Sequence, residues 1–156
     1  MISKAVQQWT SLAVLFLLPA CAPSYGLYLQ YDSQFIQSDL DRILKENPLG
    51  PAENIKVVTL GKGQTVSHHI VQIRDREVPH IHKRHDLTVT VLRGQGYLVL
   101  GQSKLDLSIA DTVFIPRDVV HYFVNQSREP AVAFVTFSPP FDGKDTIPVA
   151  VPQSPS

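Results

Sequence analysis

The chain has 156 residues, of which 44% are hydrophobic and 18% are charged. This length suits one domain with a substantial core, and the composition excludes an intrinsically disordered chain. Fourteen basic residues balance fourteen acidic ones, so no global positive field attracts nucleic acid or an anionic membrane surface. Cys21 is the single cysteine, which excludes an internal disulfide and a two-cysteine redox motif.

The first twenty residues have the pattern of an export signal. Lys4 supplies a positive charge, acidic residues are absent, and an apolar run from Leu12 to Leu18 precedes Pro19-Ala20-Cys21. The run is too short to cross the hydrocarbon layer of a membrane as a helix. We therefore predict a cleaved signal peptide over residues 1–20.

The tetrapeptide Leu18-Pro19-Ala20-Cys21 resembles the lipobox of bacterial lipoproteins. The resemblance implies cleavage before Cys21, a lipid on its thiol, and an anchored protein that faces the periplasm in a bacterial cell envelope. Several acyl chains together give a stable anchor. An aspartate directly after the lipidated cysteine is associated with retention in the inner membrane. Ala22 stands at that position instead, so we expect the anchor to lie in the outer membrane. The alternative is an ordinary signal peptide that ends beside an unrelated cysteine.

Residues 21–53 are predicted to form a tether and a short helix. Ala22–Asp32 is rich in Pro, Ser, Gly and Tyr, which is typical of a tether. Ser33 can cap a helix that runs to Glu46. The helix prediction depends on three apolar residues at intervals of four, Ile36, Leu40 and Leu44.

Residues 54–138 change to short runs rich in β-branched residues. The predicted strands are Ile55–Leu60, His69–Ile73, Leu87–Leu92, Tyr97–Leu100, Thr112–Ile115, His121–Val124 and Val132–Phe137. Gly61–Gly63 and Gly94–Gly96 are predicted hairpin turns. Many short strands predict an all-β sandwich or small antiparallel barrel. The proline-rich residues 139–156 are predicted to wrap this body as a C-terminal tail.

The histidines are strongly clustered. Five of the six lie within eighteen residues, namely His68, His69, His80, His82 and His85, and the sixth is His121. His80 and His82 are two residues apart, so they project from one face of a strand. Neutral imidazole is a common ligand for zinc, copper, nickel and iron, and His121 is the candidate third ligand from another strand.

Two segments resemble the motifs of the cupin family. Pro79-His80-Ile81-His82 with Gly94 matches the first motif, and Phe114–Asn125, which contains Pro116 and His121, matches the second. The resemblance implies a small single-domain cupin-type jelly-roll barrel over residues 54–138, preceded here by the short helix. It also implies a metal inside the barrel and a tendency of barrels to pair as homodimers.

The departures from the motifs bear on turns and on the ligand set. Arg74, Ala110 and Asp118 stand where the family has glycines. Leu87 stands where the family has its glutamate ligand, with Asp86 one residue away. Alternation puts Leu87 on an apolar face of its strand with Val89 and Val91, so Asp86 is predicted to point outward.

The expected metal ligands are His80, His82 and His121, with water or substrate in the open positions. The expected ion is divalent and is one of Fe, Mn, Ni, Cu and Zn. Further candidate ligands are Asp86, His85 and His69. No catalytic residue is assigned. Three neutral ligands leave the charge of the ion uncompensated, which favours a small anionic guest such as a carboxylate or an enolate.

Two functions therefore stay open. The first is an exported, lipid-anchored cupin that binds or transforms a small molecule at a metal, with dioxygenase, isomerase or lyase chemistry if it is an enzyme. The second is a metal-free ligand-binding or envelope structural lipoprotein, which the loss of the glutamate at Leu87 favours. In that case the histidines are hydrogen-bonded polar groups.

Two segments beside these motifs have simpler interpretations. The run Arg74–Glu77 alternates in charge and is predicted to be a solvated loop, with the alternative that one arginine binds a substrate carboxylate at the barrel mouth. Of Tyr122 and Phe123, one is predicted to line the cavity.

Overall fold

The computed structural model of the protein describes residues 25–32 and 34–150. The predicted signal peptide, Cys21, Ser33 and residues 151–156 lie outside this part of the chain. Within it, no helix has the length and apolar character needed to cross a membrane.

Strands dominate the described residues. In chain order they are β1 (Gly26–Tyr31), β2 (Gln34–Asp39), β3 (Ile55–Lys62), β4 (Ser67–Ile73), β5 (His80–Ile81), β6 (Asp86–Arg93), β7 (Gly96–Leu100), β8 (Ser103–Leu107), β9 (Thr112–Ile115), β10 (His121–Asn125), β11 (Ala131–Ser138) and β12 (Ile147–Pro148), with one helix, α1 (Leu40–Glu46), after β2. Each of the seven predicted strands falls inside one of these, which confirms that part of the prediction.

Two five-stranded antiparallel sheets form the body of the molecule. One has the order β12-β5-β10-β7-β8 and the other has the order β3-β4-β11-β6-β9. Their inner faces pack against each other through a core that includes Leu98 and Phe123 from the first sheet and Val71, Val135 and Phe137 from the second. The all-β jelly-roll prediction is confirmed.

Strand β4, which lies between β3 and β11, is buried on both faces. His69, Val71 and Ile73 alternate toward the interior, while Ile70 faces outward and is fully buried beneath Leu40 of α1. Because both faces are covered, the strand's buried polar side chains Ser67, His69 and Gln72 are all hydrogen-bonded. The helix thus seals the outer face of the second sheet.

The structure overturns the predicted tether and the first half of the predicted helix. β1 and β2 pair over six residues as an antiparallel hairpin, and α1 begins only at Leu40. Asp39 caps the helix by accepting a hydrogen bond from the Arg42 N–H at 2.9 Å. The predicted cap, Ser33, lies outside the described residues. Ile36 pairs across the hairpin with Leu29, so strand pairing overrides the helical spacing of the apolar residues.

The turns also differ in part from the prediction. Gly94 has a φ of +82°, but it connects β6 to β7, which belong to different sheets, so it makes no hairpin. Gly61 lies within β3, at an irregularity in its pairing with β4. Ala110 and Asp118, at two of the family's glycine positions, have φ values of +74° and +64°. These departures therefore concern turn geometry, as predicted.

Candidate metal centre

Three buried histidines meet between the two sheets. His80 begins β5, His82 follows directly after that strand, and His121 begins β10. His121 is the pairing partner of His80 in the sheet, and all three side chains are at most 6% exposed. The structure therefore brings together the three histidines that the sequence analysis selected as ligands.

The hydrogen bonds of these histidines fix which ring nitrogen is free. The Nδ1 atoms of His80, His82 and His121 lie 2.8, 2.6 and 2.9 Å from the backbone carbonyl oxygens of Val78, Asp145 and Val119. A carbonyl oxygen only accepts, so each Nδ1 carries the proton and each Nε2 keeps a lone pair.

The three side chains fit a divalent metal ion. Each offers one nitrogen, and these atoms lie within 4.8 Å of one another. Burial lowers the pKa of both His82 and His121 to about 4, which keeps these rings neutral at neutral pH. Neutral imidazoles with a fixed tautomer suit zinc, copper, nickel and iron.

Asp145 holds the histidine segment in place, and the sequence analysis missed it. Its carboxylate accepts hydrogen bonds from the backbone N–H groups of Lys83 and Arg84 and, at 2.5 Å, from His85 Nδ1. Burial disfavours its ionisation, but the Arg84 N–H and the His85 ring outweigh this and lower its pKa to about 2. Its own carbonyl orients His82. No local pattern in the proline-rich tail marks this contact, because it joins residues about sixty positions apart.

The further candidate ligands lie outside the three-histidine set. His85 is buried against Asp145. Asp86 accepts two side-chain hydrogen bonds from Arg117, which holds its pKa at about 2. His69 bonds the hydroxyls of Ser67 and Thr59, and burial lowers its pKa to about 4.

An apolar cavity of about 350 Å³ adjoins the three histidines. Leu87, Val89 and Val91 of β6 line it, as the alternation predicted, and so does Phe123, while Tyr122 does not. The polar residues of its wall are the three histidines, Glu77 and Thr146. The residues described by the structure contribute no lysine or arginine to this wall.

Glu77 is the second functional candidate that the sequence analysis missed. The prediction of a solvated loop fails for this residue, because its Oε2 accepts a hydrogen bond from the Phe123 N–H at 2.8 Å inside the cavity wall. Burial raises the pKa of the carboxyl, against the opposing effects of His80 and of that N–H. Arg74, from the same run, bonds the backbone carbonyls of Gly50 and Glu53 instead. The charge alternation of the run gave no sign that one member turns inward.

The fold and the histidine cluster define a small jelly-roll barrel with a candidate metal centre inside. Residues 56–137 match the family model of the Cupin domain. The chain is also 42% identical over 111 residues to an uncharacterized protein of Aquifex aeolicus (strain VF5). The aligned region covers 71% of this chain and 90% of that protein. The chain belongs to the cupin family.

Solved structures with the same fold include a nucleoside dehydratase. KdgF from Halomonas sp. is 25% identical with a TM-score of 0.56, covering 63% of this chain and 93% of that one. The Streptomyces nucleoside dehydratase Pac13 is 20% identical with a TM-score of 0.53, covering 62% of this chain and 78% of that one. The protein TT1209 from Thermus thermophilus is 19% identical with a TM-score of 0.58, covering 67% and 97%.

Proposed function

We propose that this cupin is an exported, lipid-anchored protein that holds a divalent metal ion on His80, His82 and His121 and binds or transforms a small anionic molecule in the barrel. One observation carries the metal site: all three Nδ1 atoms face backbone carbonyls, so three Nε2 lone pairs are left for an ion. A bound ion would supply Lewis-acid chemistry to an oxygen of the guest.

The chain's own residues would hold and shield the guest. The apolar wall disfavours water in the cavity, and the lack of a cationic wall residue among the described residues leaves the ion as the partner for a negative group. Dioxygenase, isomerase and lyase chemistry are each compatible with such a site.

Elemental analysis of the purified full-length chain tests the metal site. The chain is prepared without chelator or affinity-tag metal, beside a His80→Ala, His82→Ala double variant. We expect near-stoichiometric Fe, Mn, Ni, Cu or Zn in the parent and none in a folded double variant. His68→Ala is the matched control, since it removes a histidine outside the cluster and should leave the metal content unchanged.

A second candidate is a metal-free ligand-binding or envelope structural lipoprotein. Leu87 favours it, because this buried residue lines the cavity where the family's first motif has a glutamate. A parent that is purified without metal and takes up none from added salts would support this candidate and would contradict the metal centre.

The lipid anchor is tested on the chain itself. Cys21→Ser in a bacterial host should remove a lipid-sized mass from the protein and shift it from the outer-membrane fraction to the soluble fraction, since no other cysteine can be acylated. Unchanged fractionation and mass would contradict the anchor.

A further inference from the structure

Two hydrogen bonds to Phe123 hold the Glu77 side chain in the wall of the cavity. The Glu77 N–H donates to the Phe123 carbonyl at 2.9 Å, while the Phe123 N–H donates to Glu77 Oε2 at 2.8 Å. These two bonds hold the carboxyl against β10. Phe123 lies two residues after His121 on the same face of that strand, about 6.7 Å along it. The carboxyl is thus fixed beside the histidine cluster and outside it.

One carboxylate oxygen remains available to a guest. Oε1 of Glu77 has no hydrogen bond to any residue that the structure describes. Every fully buried side-chain oxygen and nitrogen in that part of the chain is paired, so the unpaired Oε1 keeps some accessible surface. Glu77 lines the same cavity as the three histidines. It is therefore the acidic side chain nearest in the wall to a molecule held at the histidine end.

The charges in this cavity can be counted. A divalent ion on three neutral imidazoles contributes two positive charges. Burial raises the pKa of Glu77 in the metal-free chain, whereas a dication on the neighbouring histidines favours its ionised form, which contributes one negative charge. The described wall has no other charged side chain. A guest with a single negative charge therefore leaves the loaded site neutral. This state is favoured because an uncompensated charge is costly in an apolar cavity. A guest with two negative charges leaves an excess negative charge.

The remaining wall defines the rest of the guest. Nineteen of its residues are aliphatic, aromatic or proline side chains, and such a surface favours an apolar body. A cavity of about 350 Å³ lies at the small end for ligand pockets.

We propose that the site selects a small monoanion with an apolar body, such as a medium-chain monocarboxylate, and that Glu77 is the residue that disfavours dianions. This inference rests on the proposed metal centre. It adds the charge and polarity of the guest and a specificity role for Glu77.

Calorimetric titration of the zinc-loaded full-length chain tests the inference with matched probes. Hexanoate is the monoanion, and butylmalonate has the same butyl tail with a second carboxylate at the head. In Glu77→Gln, which keeps the size of the side chain, the Coulomb repulsion removed is twice as large for the dianion. We expect the ratio of the butylmalonate Kd to the hexanoate Kd to fall by at least about fivefold. Acetate, which lacks the tail, should bind the parent at least about tenfold more weakly than hexanoate.

Glu129→Gln is the control, since it removes the same charge outside the cavity wall and should leave the ratio unchanged. A carboxyl that only supports the Phe123 N–H would make Glu77→Gln alter both probes equally, and this would overturn the inference. Equal affinity for acetate and hexanoate would overturn the apolar body. Metal content is measured in every sample: failure to take up zinc or any of the other four candidate metals contradicts the proposed function itself, whereas normal zinc content with an unchanged ratio contradicts the role of Glu77 alone.

Discussion

At the scale of single residues, Asp145 links the C-terminal tail to the candidate metal centre. Its carboxylate is the partner of the buried His85 ring and of two backbone N–H groups, and its carbonyl sets the tautomer of His82. Partners of this kind behind a metal ligand affect both the stability of the fold and the affinity for metal.

We predict that Asp145→Ala lowers the free energy of unfolding by about 3 kcal/mol, because it leaves buried donors without an acceptor. The backbone carbonyl that orients His82 remains in this variant, but the lost carboxylate no longer holds it against residues 83–85, so zinc affinity should also fall by about 10-fold. Urea unfolding and competition with a chromogenic chelator measure the two effects. Asp142→Ala is the control, because it removes an exposed ion pair with Arg84 and should change both quantities far less. Equal effects of the two substitutions would contradict the assigned role.

Leu87 permits a complementary test, in which a ligand is added. Its side chain is buried and lines the cavity beside the histidines. Leu87→Glu should tighten zinc binding by at least about tenfold, since a carboxylate would offset part of the ion's charge. The metal-free variant should be destabilised by about 2 kcal/mol or more, because it buries an unpaired carboxyl.

Val89→Glu, two residues further along the same cavity-lining face of β6, is the control for Leu87→Glu. It adds the same group away from the family's ligand position. Equal gains in zinc affinity from both substitutions would show that any added negative charge suffices and that the position of Leu87 is not special.

At the scale of elements, the sequence predicts the strands whose alternation reports one buried face. β6 is an example, since Leu87 and Val89 point into the cavity as predicted while Asp86 is held by Arg117. β1 and β2 were missed because Ile36, Leu40 and Leu44 have helical spacing, and only the pairing of the two strands determines which structure forms.

The residues of the candidate site also divide into those that the sequence predicts and those that it does not. The two motif histidines and His121 have recognisable spacing, so the sequence was sufficient to select them. Glu77 and Asp145 have no such spacing, because each acquires its role from a backbone contact with a segment far away in the chain. A short charged run or a proline-rich tail contains no local signal for contacts of that kind.

The turn between β8 and β9 gives a prediction at this scale. Ala110 has a φ of +74°, a region where a Cβ is strained and glycine is not. Ala110→Gly should therefore raise the free energy of unfolding by about 1 kcal/mol, measured by urea denaturation. Ala133→Gly within β11 is the control and should lower it, because glycine weakens a regular strand. A loss of stability in both variants would contradict the strain at Ala110.

At the scale of the whole molecule, buried histidines should determine how stability depends on pH. Burial lowers the pKa of His69, His82 and His121 from 6.5 to about 4. The unfolded chain therefore binds more protons than the folded chain between these two values, and the free energy of unfolding of the metal-free protein must decrease as pH falls from about 6.5 to 4. The decrease is at most about 3 kcal/mol for each histidine.

Urea denaturation at several pH values checks this expectation on the metal-free protein. Glu77 acts in the opposite direction, because its pKa is raised on folding, whereas His68, whose pKa burial also lowers, acts in the same direction as the other three histidines. His69→Gln removes one of the three histidines without touching the metal cluster, so it should reduce the decrease by about a third. A free energy of unfolding that stays constant from pH 6.5 to 4 would mean that these rings take up protons in the folded state. In that event the Nε2 atoms of His82 and His121 would be protonated in mildly acidic solution, and zinc should be released in the same pH range.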